Sequence, residues 1–599
     1  MRKSVGWQLG IFASVAVMLL ALYPQLHLWY VRSHDWSGAY ALIDTDEVAY
    51  SAYLNALIDG RPRRSDPYTG RDDRAGAPQA ESLFSIQFVP AYALALPAKA
   101  LGLSASTVFI LLACIAALCS SLVVFRLVAV VTGDERLAAA SVLVVLCLGT
   151  LAAGEGAIRE LSGYQSAYHY LPFLRRYIPA LPFPLYFALC LFVWRMLVSE
   201  DRGAALRSAI LAGLMFALLV YSYFYLWTAA LAWLGCIALL WLLIRPAGYA
   251  SALRLFGVVA ALVTAALLPY SVLVSNRAET MEAVQALTYS RAPDLLRGPE
   301  IVGALVLAAL AFAARRGLIE RKDPRVVFTA SLALMPFVVF NQQIITGHSL
   351  QPIHYEQFIA NYVSLVALAL AFGLLWRAWA GAERKIPKRA LCCVALVAFG
   401  WGIAETGVAL KIFTPFNLIR SDSMPAALRL AELARDSTGD DGVVLFTDVL
   451  PSDDLPTISP QAVLWARHMH VFSGVTTAEN KERFYKYLYY TGVTEQILTD
   501  ALYERDFYYI LPLFGWERAN PNLTVNWKPI TPEEAMDELR RYVEYVHAFN
   551  RERAAHPALS YVVTTKRLHI DLSNLDRWYE RDEGEHFGDY TIYRVRLRP

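Results

Sequence analysis

The sequence predicts a mainly α-helical, polytopic membrane bundle of about eleven spans, followed by an extracytoplasmic α/β domain. Three observations predict it. Hydrophobic residues make up 56% of the 599 and charged residues 18%, with a mean hydropathy of +0.38, too apolar for a soluble chain of this length. Apolar runs near the length of about 20 residues that crosses a bilayer recur up to residue 409. After that the pattern changes to short strand-like runs and one charged amphipathic helix.

In order, the apolar runs are Val5–Tyr30, Ser106–Val131, Leu137–Ala153, Ile178–Val198, Leu206–Tyr221, Leu226–Ile244, Leu253–Val274, Ile301–Ala314, Val326–Thr346, Phe358–Trp376 and Leu391–Ala409. With the amino terminus in the cytoplasm, the short loops holding Arg195/Arg202/Arg207, Arg245/Arg254, Arg315-Arg316/Arg321-Lys322 and Arg377/Arg384-Lys385 fall inside, with Arg2-Lys3. That distribution satisfies the positive-inside rule, and eleven spans then place residues 410–599 outside. The first run is too long for a signal peptide and lacks a small-x-small site, so it is expected to stay as a helix. All seven cysteines fall in predicted spans, so no disulfide framework is expected. Asn522-Leu523-Thr524 fits a glycosylation sequon.

The chain thus divides into a membrane domain, 1–409, and an outer domain, 410–599, with the longest outer loop at 31–105. In that loop Ala49–Ile58 reads as a helix stopped by Gly60. A polar arm with Arg61-Pro62-Arg63-Arg64 follows, and then Leu83–Leu103, apolar but interrupted by Pro90 and Pro97. Counting Leu83–Leu103 as a span would invert every later loop, so it is read as an interfacial or re-entrant helix. In the outer domain, Pro425–Ser437 and Pro532–Phe549 are expected to be helical. Strands are expected at Gly442–Asp448, Phe507–Leu511, Ser560–Thr565 and Gly588–Val595. Phe484–Tyr490 is read as a core helix and Trp578–His586 as a solvated hairpin.

The residues able to carry chemistry sit outside the spans. Asp44, Asp46 and Glu47 follow the first span directly. One carboxylate at the headgroup level can take a proton from an acceptor, while a second orients the nucleophile or holds a divalent metal. An acidic first turn of a helix explains the same cluster on spacing alone. Arg159, Arg175 and Arg176 in the second outer loop are candidates for a phosphate, since the guanidinium fork matches its oxygens. Arg175-Arg176 precedes an inward-going span against the charge rule, which headgroup anchoring explains equally. The polar loop Thr346–Glu356 adds His354, a phosphate contact, and with His348 and Glu356 a weak metal set whose spacing matches no established pattern. The net charge of +2 gives no reason to expect nucleic acid, and there is no Gly-rich phosphate loop.

Asp46-Glu47-x-x-Tyr50, the helix after it, Gly60 and the Leu83–Leu103 run ending in Leu101-Gly102-Leu103-Ser104 resemble the start of the GT-C glycosyltransferases, nearest to bacterial aminoarabinose transferases and protein O-mannosyltransferases. The resemblance implies a multi-pass protein of the bacterial plasma membrane. It implies transfer of a sugar from a polyprenyl-phosphate-type lipid to a lipid, glycan or protein acceptor on the outer face, with inversion at the anomeric carbon. Carried over, the catalytic acid falls on Asp46 with Glu47 beside it. Where the aminoarabinose transferases have Glu-Lys-Pro-Pro, this chain has Leu83-Phe84-Ser85-Ile86-Gln87. A transporter or flippase of lipid-linked sugars is the alternative, and a non-catalytic assembly protein the third. The near absence of ionisable groups within the spans weighs against passage.

Overall fold

The computed structural model of the protein describes residues 6–281, 288–381, 384–436, 442–519 and 527–599; the sequon at Asn522 and the Arg2-Lys3 pair lie outside them. The chain forms two compact units, each gathered from distant stretches of sequence. The helical unit is Met1–His27, Ile110–Val272 and Tyr289–Phe413. The mixed unit is Leu28–Phe109, Leu273–Thr288 and Thr414–Pro599.

Among the described residues nine helices are long and apolar enough to cross a membrane. Two of the eleven predicted runs form shorter helices. Leu137–Ala153 divides into Glu135–Cys147 and Gly149–Ala152, and Ile178–Val198 contributes Phe183–Val198. The second is shortened by Pro179 and Pro182, while Pro184 falls in the first turn, where a missing N–H costs nothing. The turn at Tyr221-Ser222-Tyr223 is present, between helices ending at Val220 and starting at Phe224.

Within the helical unit, packing relies on small residues, because lipid gives helices no hydrophobic reason to associate. Gly298–Arg315 lies against Pro324–Asn341 so closely that a Cβ on Gly303 would come 2.4 Å from the Ala333 carbonyl oxygen. The Trp233 indole donates to Ser331 Oγ at 3.1 Å. Glu405, a buried carboxylate in an apolar helix, accepts from the Ala157 amide and the Trp401 indole, each at 2.9 Å. All seven cysteines are free thiols.

The mixed unit is built on one sheet, with strands β1 (Val443–Phe446), β2 (Ala462–Val463), β3 (Leu559–Thr565), β4 (Tyr579–Arg581), β5 (Glu585–Phe587) and β6 (Tyr590–Leu597). The order is β2-β1-β3-β6-β4, parallel across β2-β1-β3 and antiparallel onward, with β5 also on β6. The expected hairpin at Trp578–His586 is therefore two short strands that each pair with β6 instead of with each other. The helix Thr477–Tyr490 packs an aromatic face on the core: Trp465 lies 4.6 Å from Phe484 and 5.3 Å from Tyr487 between ring centroids. Phe507–Leu511, expected as a strand, is a helix, Phe507–Phe514. Its apolar run is short enough to suit either form, and Asp506 decides by capping the amide of Tyr508 at 2.8 Å.

The first outer loop belongs to this unit. Glu47–Asp59 is the expected helix, and Gly60 ends it at φ +94°, donating its amide to the Ala56 and Leu57 carbonyls. The Leu83–Leu103 run becomes a short turn, Leu83–Ile86, and the helix Phe88–Leu101. At 1.5 Å per residue that helix is about 21 Å long, short of a hydrocarbon core of about 30 Å. Leu96 and Leu101 stay exposed on it.

Gly303→Ala should lower the thermal unfolding midpoint in detergent by an amount corresponding to about 1–3 kcal/mol. Gly257→Ala, where a Cβ meets nothing within 4 Å, should leave it unchanged or raise it. Equal midpoints would dismiss the tight helix crossing.

Candidate active site

The acidic motif is placed by residues from the far end of the chain. Asn417 brackets Leu42, accepting from its amide at 2.7 Å and donating to its carbonyl at 3.1 Å. Arg420 donates to the Tyr40 carbonyl at 3.0 Å, stands over the Tyr40 ring, and forms a salt bridge to Asp454 at 2.8 Å with both side chains 3% exposed. Arg467 Nη2 donates to the Thr45 carbonyl at 3.2 Å. The backbone that enters the motif is thus held at three successive points.

This scaffold sorts the three acids. Asp44 accepts from the amide of Asp46 at 2.9 Å and shapes the turn. Glu47 is fully buried and reaches back to the amide of Ile43 at 3.2 Å. Asp46 is different: its side chain is 41% exposed, and Oδ1 lies 3.6 Å from His468 Nε2. The imidazole is 4% exposed, and its Nδ1 lies 2.7 Å from Oδ2 of Asp453, itself 4% exposed. An open carboxylate, a buried imidazole and a buried carboxylate therefore stand in line.

Local structure explains the alignment. Asp448 caps the helix Val449–Asp454, whose last two residues diverge: Asp454 turns to Arg420, while Asp453 turns to His468 and also accepts its amide at 3.0 Å. Leu464, just past β2, donates to Val444 in β1, and Trp465 is anchored in the aromatic core, so Arg467 and His468 leave a fixed base. Burial and Arg467 press the pKa of His468 down, but Asp453 and Asp46 outweigh them and hold it above its ordinary value of about 6.5. Asp453 lies below the usual carboxylate range despite burial, because His468 and Arg467 favour its charge. His468 Nε2 faces both Arg467 Nη2, at 3.0 Å, and Asp46 Oδ1, at 3.6 Å. His470 behaves oppositely. Burial, then the charge of His468, pushes it down to about 4, and its two nitrogens are occupied by the Arg467 carbonyl and the Trp516 indole, each at 2.7 Å.

The predicted cations meet mixed fates. Arg175 and Arg176 are buried in the helical unit. Arg175 donates to the Ile178 carbonyl at 3.0 Å and the Tyr223 hydroxyl at 3.3 Å, and its guanidinium lies 4.6 Å from the Phe358 ring centre. His354 stacks on the same ring at 5.5 Å between centroids, so Arg175 and His354 share one cluster. Arg159 is apart, paired with Glu155 and the Gln165 carbonyl. Glu356 is committed to Arg297 and Tyr168, and His348 is exposed beside Tyr289. Among the described residues no three His, Cys, Asp or Glu side chains gather into a metal site, so His348, His354 and Glu356 do not form one. In the mixed unit the arm's arginines are taken by its own acids: Arg61 by Asp72, Arg63 by Glu81 and Arg64 by Asp73.

Sequence reasoning missed Asp453, Arg467 and His468. The available signal was Arg467-His468-Met469-His470 directly after the apolar Val463–Ala466, a charged group where a core segment should continue.

No family model matches the sequence, and no curated protein does. Among solved structures the chain is similar to ArnT from Cupriavidus metallidurans in the apo state, at 12% identity over 79% of this chain and 91% of that one, with a TM-score of 0.46. It is also similar to the archaeal oligosaccharyltransferase AglB from Archaeoglobus fulgidus in complex with an inhibitory peptide and a dolichol-phosphate, at 11% identity over 96% and 72%, with a TM-score of 0.46. Likenesses this loose carry no weight for chemistry.

Removing Arg420 leaves Asp454 buried and unpaired, so Arg420→Met should cost about 3–5 kcal/mol in thermal unfolding. The double change Arg420→Met/Asp454→Leu should recover much of it. For His468, a raised pKa means its charged form stabilises the fold fully below about pH 6.5, and that contribution fades as pH rises through the folded value. The melting-point gap between wild type and His468→Gln should therefore narrow from pH 6 to pH 9. A gap independent of pH would remove the charge from His468.

Proposed function

We propose that the chain is a glycosyltransferase of the membrane surface, moving a sugar from a polyprenyl-phosphate-type lipid to an acceptor on the extracytoplasmic face. The observation that carries this reading is the open Asp46 backed by the buried His468–Asp453 pair. Bound together with the resemblance of the Asp46 motif to GT-C enzymes, it supports an acid-base role at that carboxylate.

The acceptor hydroxyl donates its proton to Asp46 Oδ1 as its oxygen bonds to the anomeric carbon. The bond from that carbon to the phosphate oxygen breaks, and the electron pair leaves with the phosphate. Attack opposite the leaving group inverts the anomeric centre. His468 acts by position: seated on Asp453, its imidazole faces Asp46 and fixes the direction of the carboxylate that accepts the proton. Asp44 and Glu47 shape the turn that presents it. Arg175, Arg176 and His354 of the helical unit are the candidates for the donor's phosphate, and Arg159 is a weaker one because Glu155 already holds it.

The test is transfer of label from polyprenyl-phosphoryl sugars to membrane acceptors, at matched expression. Asp46→Asn should reduce kcat by roughly 10²- to 10⁴-fold with the melting point intact. His468→Gln should reduce it less and displace the pH profile, and Arg175→Gln should raise KM for the donor. Wild-type transfer by Asp46→Asn would overturn the assignment of the base. Absence of transfer from any polyprenyl donor in wild type would overturn the function.

A further inference from the structure

We propose that the helical unit contains a basic cavity that binds a phosphate-bearing anion, independently of the transfer reaction. The cavity has a volume of about 1120 Å³, larger than one phosphate needs. Arg126, Arg136, Arg195, Arg377, Arg384 and Lys385 line it. Its two acids are spent on backbone donors: Asp134 accepts from the amides of Arg136 and Leu137, at 2.9 and 3.1 Å, and Glu135 from that of Gly6 at 2.7 Å. Among the described residues Arg126, Arg136, Arg377, Arg384 and Lys385 form no ion pair. Six cations against two carboxylates leave the lining of the cavity net positive.

The backbone makes room for this. Gly133 adopts φ +67°, and a Cβ there would stand 3.2 Å from Arg377 Nη2, so glycine lets that guanidinium reach the cavity. A general excess of cations on cytoplasmic loops requires only that they be present, whereas these converge from four helix ends on one hollow. Like charges gathered this way repel one another, and a multivalent anion relieves several repulsions at once. Apolar Leu9, Val130 and Val198 also line the cavity and suit an acyl-bearing ligand. The site is not the cluster around Arg175: Phe358 lies in the turn before the helix Asn361–Ala380, and Trp376 at the cavity lies roughly 22 Å along that helix from Asn361.

Two sources supply this chemistry, an anionic lipid headgroup and a soluble diphosphate. Detergent-purified full-length protein is exposed to cardiolipin or phosphatidylcholine and read by native mass spectrometry, and separately titrated with sodium pyrophosphate in a thermal-shift assay. Wild type should retain cardiolipin over phosphatidylcholine. Arg136→Gln/Arg377→Gln should lose roughly thirtyfold in cardiolipin affinity, at a factor of about five per cation. Arg207→Gln, outside the cavity, should lose none. Stabilisation by pyrophosphate that disappears in the double variant, without cardiolipin retention, supports the site and assigns a soluble ligand. Neither probe binding, or equal binding by wild type and double variant, overturns it. If the double variant does not fold, Arg377→Gln alone decides by the same readings.

Discussion

The mixed unit turns on the buried pair of Arg420 and Asp454. It costs desolvation on both sides, and such a pair is tolerated only when further hydrogen bonds complete it. Here the guanidinium also holds the Tyr40 carbonyl and covers the Tyr40 ring. One cation thereby fixes the segment that enters the acidic motif to the helix that ends in Asp453 and Asp454. The direction of Asp46 and the seat of His468 follow from that single junction.

The helical unit was legible because its signal is long and redundant. Twenty apolar residues survive errors of several positions. The two runs that became shorter helices carry local reasons, prolines in one and a break at Leu148-Gly149 in the other. Gly60 was equally readable, since a helix stop needing positive φ leaves few alternatives. Asp46 could be named from the sequence, but its distinction from Asp44 and Glu47 could not. That depends on which carboxylate the backbone amides consume, and neighbours in sequence give no hint of it.

His468 and Asp453 were invisible for a different reason. Their partner lies at the other end of the chain, and no periodicity links one loop to another at such separation. Phe507–Leu511 failed more locally: a five-residue apolar run does not distinguish strand from helix, and the cap at Asp506 is the deciding group. Arginines are not equivalent as a class. Arg61, Arg63 and Arg64 of the arm are paired with neighbouring acids, whereas among the described residues Arg126, Arg136, Arg377 and Arg384 at the basic cavity form no ion pair, and counting cations cannot tell the two apart.

The distance in sequence between the two halves of the mixed unit governs how the protein is made. Thr45 and Arg467 touch across 422 residues. At a synthesis rate of about 5–20 residues per second, the outer loop waits roughly 20–85 s for its partner. Through that interval Phe84, which finally stacks on Phe472 at 4.3 Å, has no cover from it. Nascent chains therefore present a sticky, half-built loop while the bundle inserts, and the last third of the protein is the part that ends this exposure.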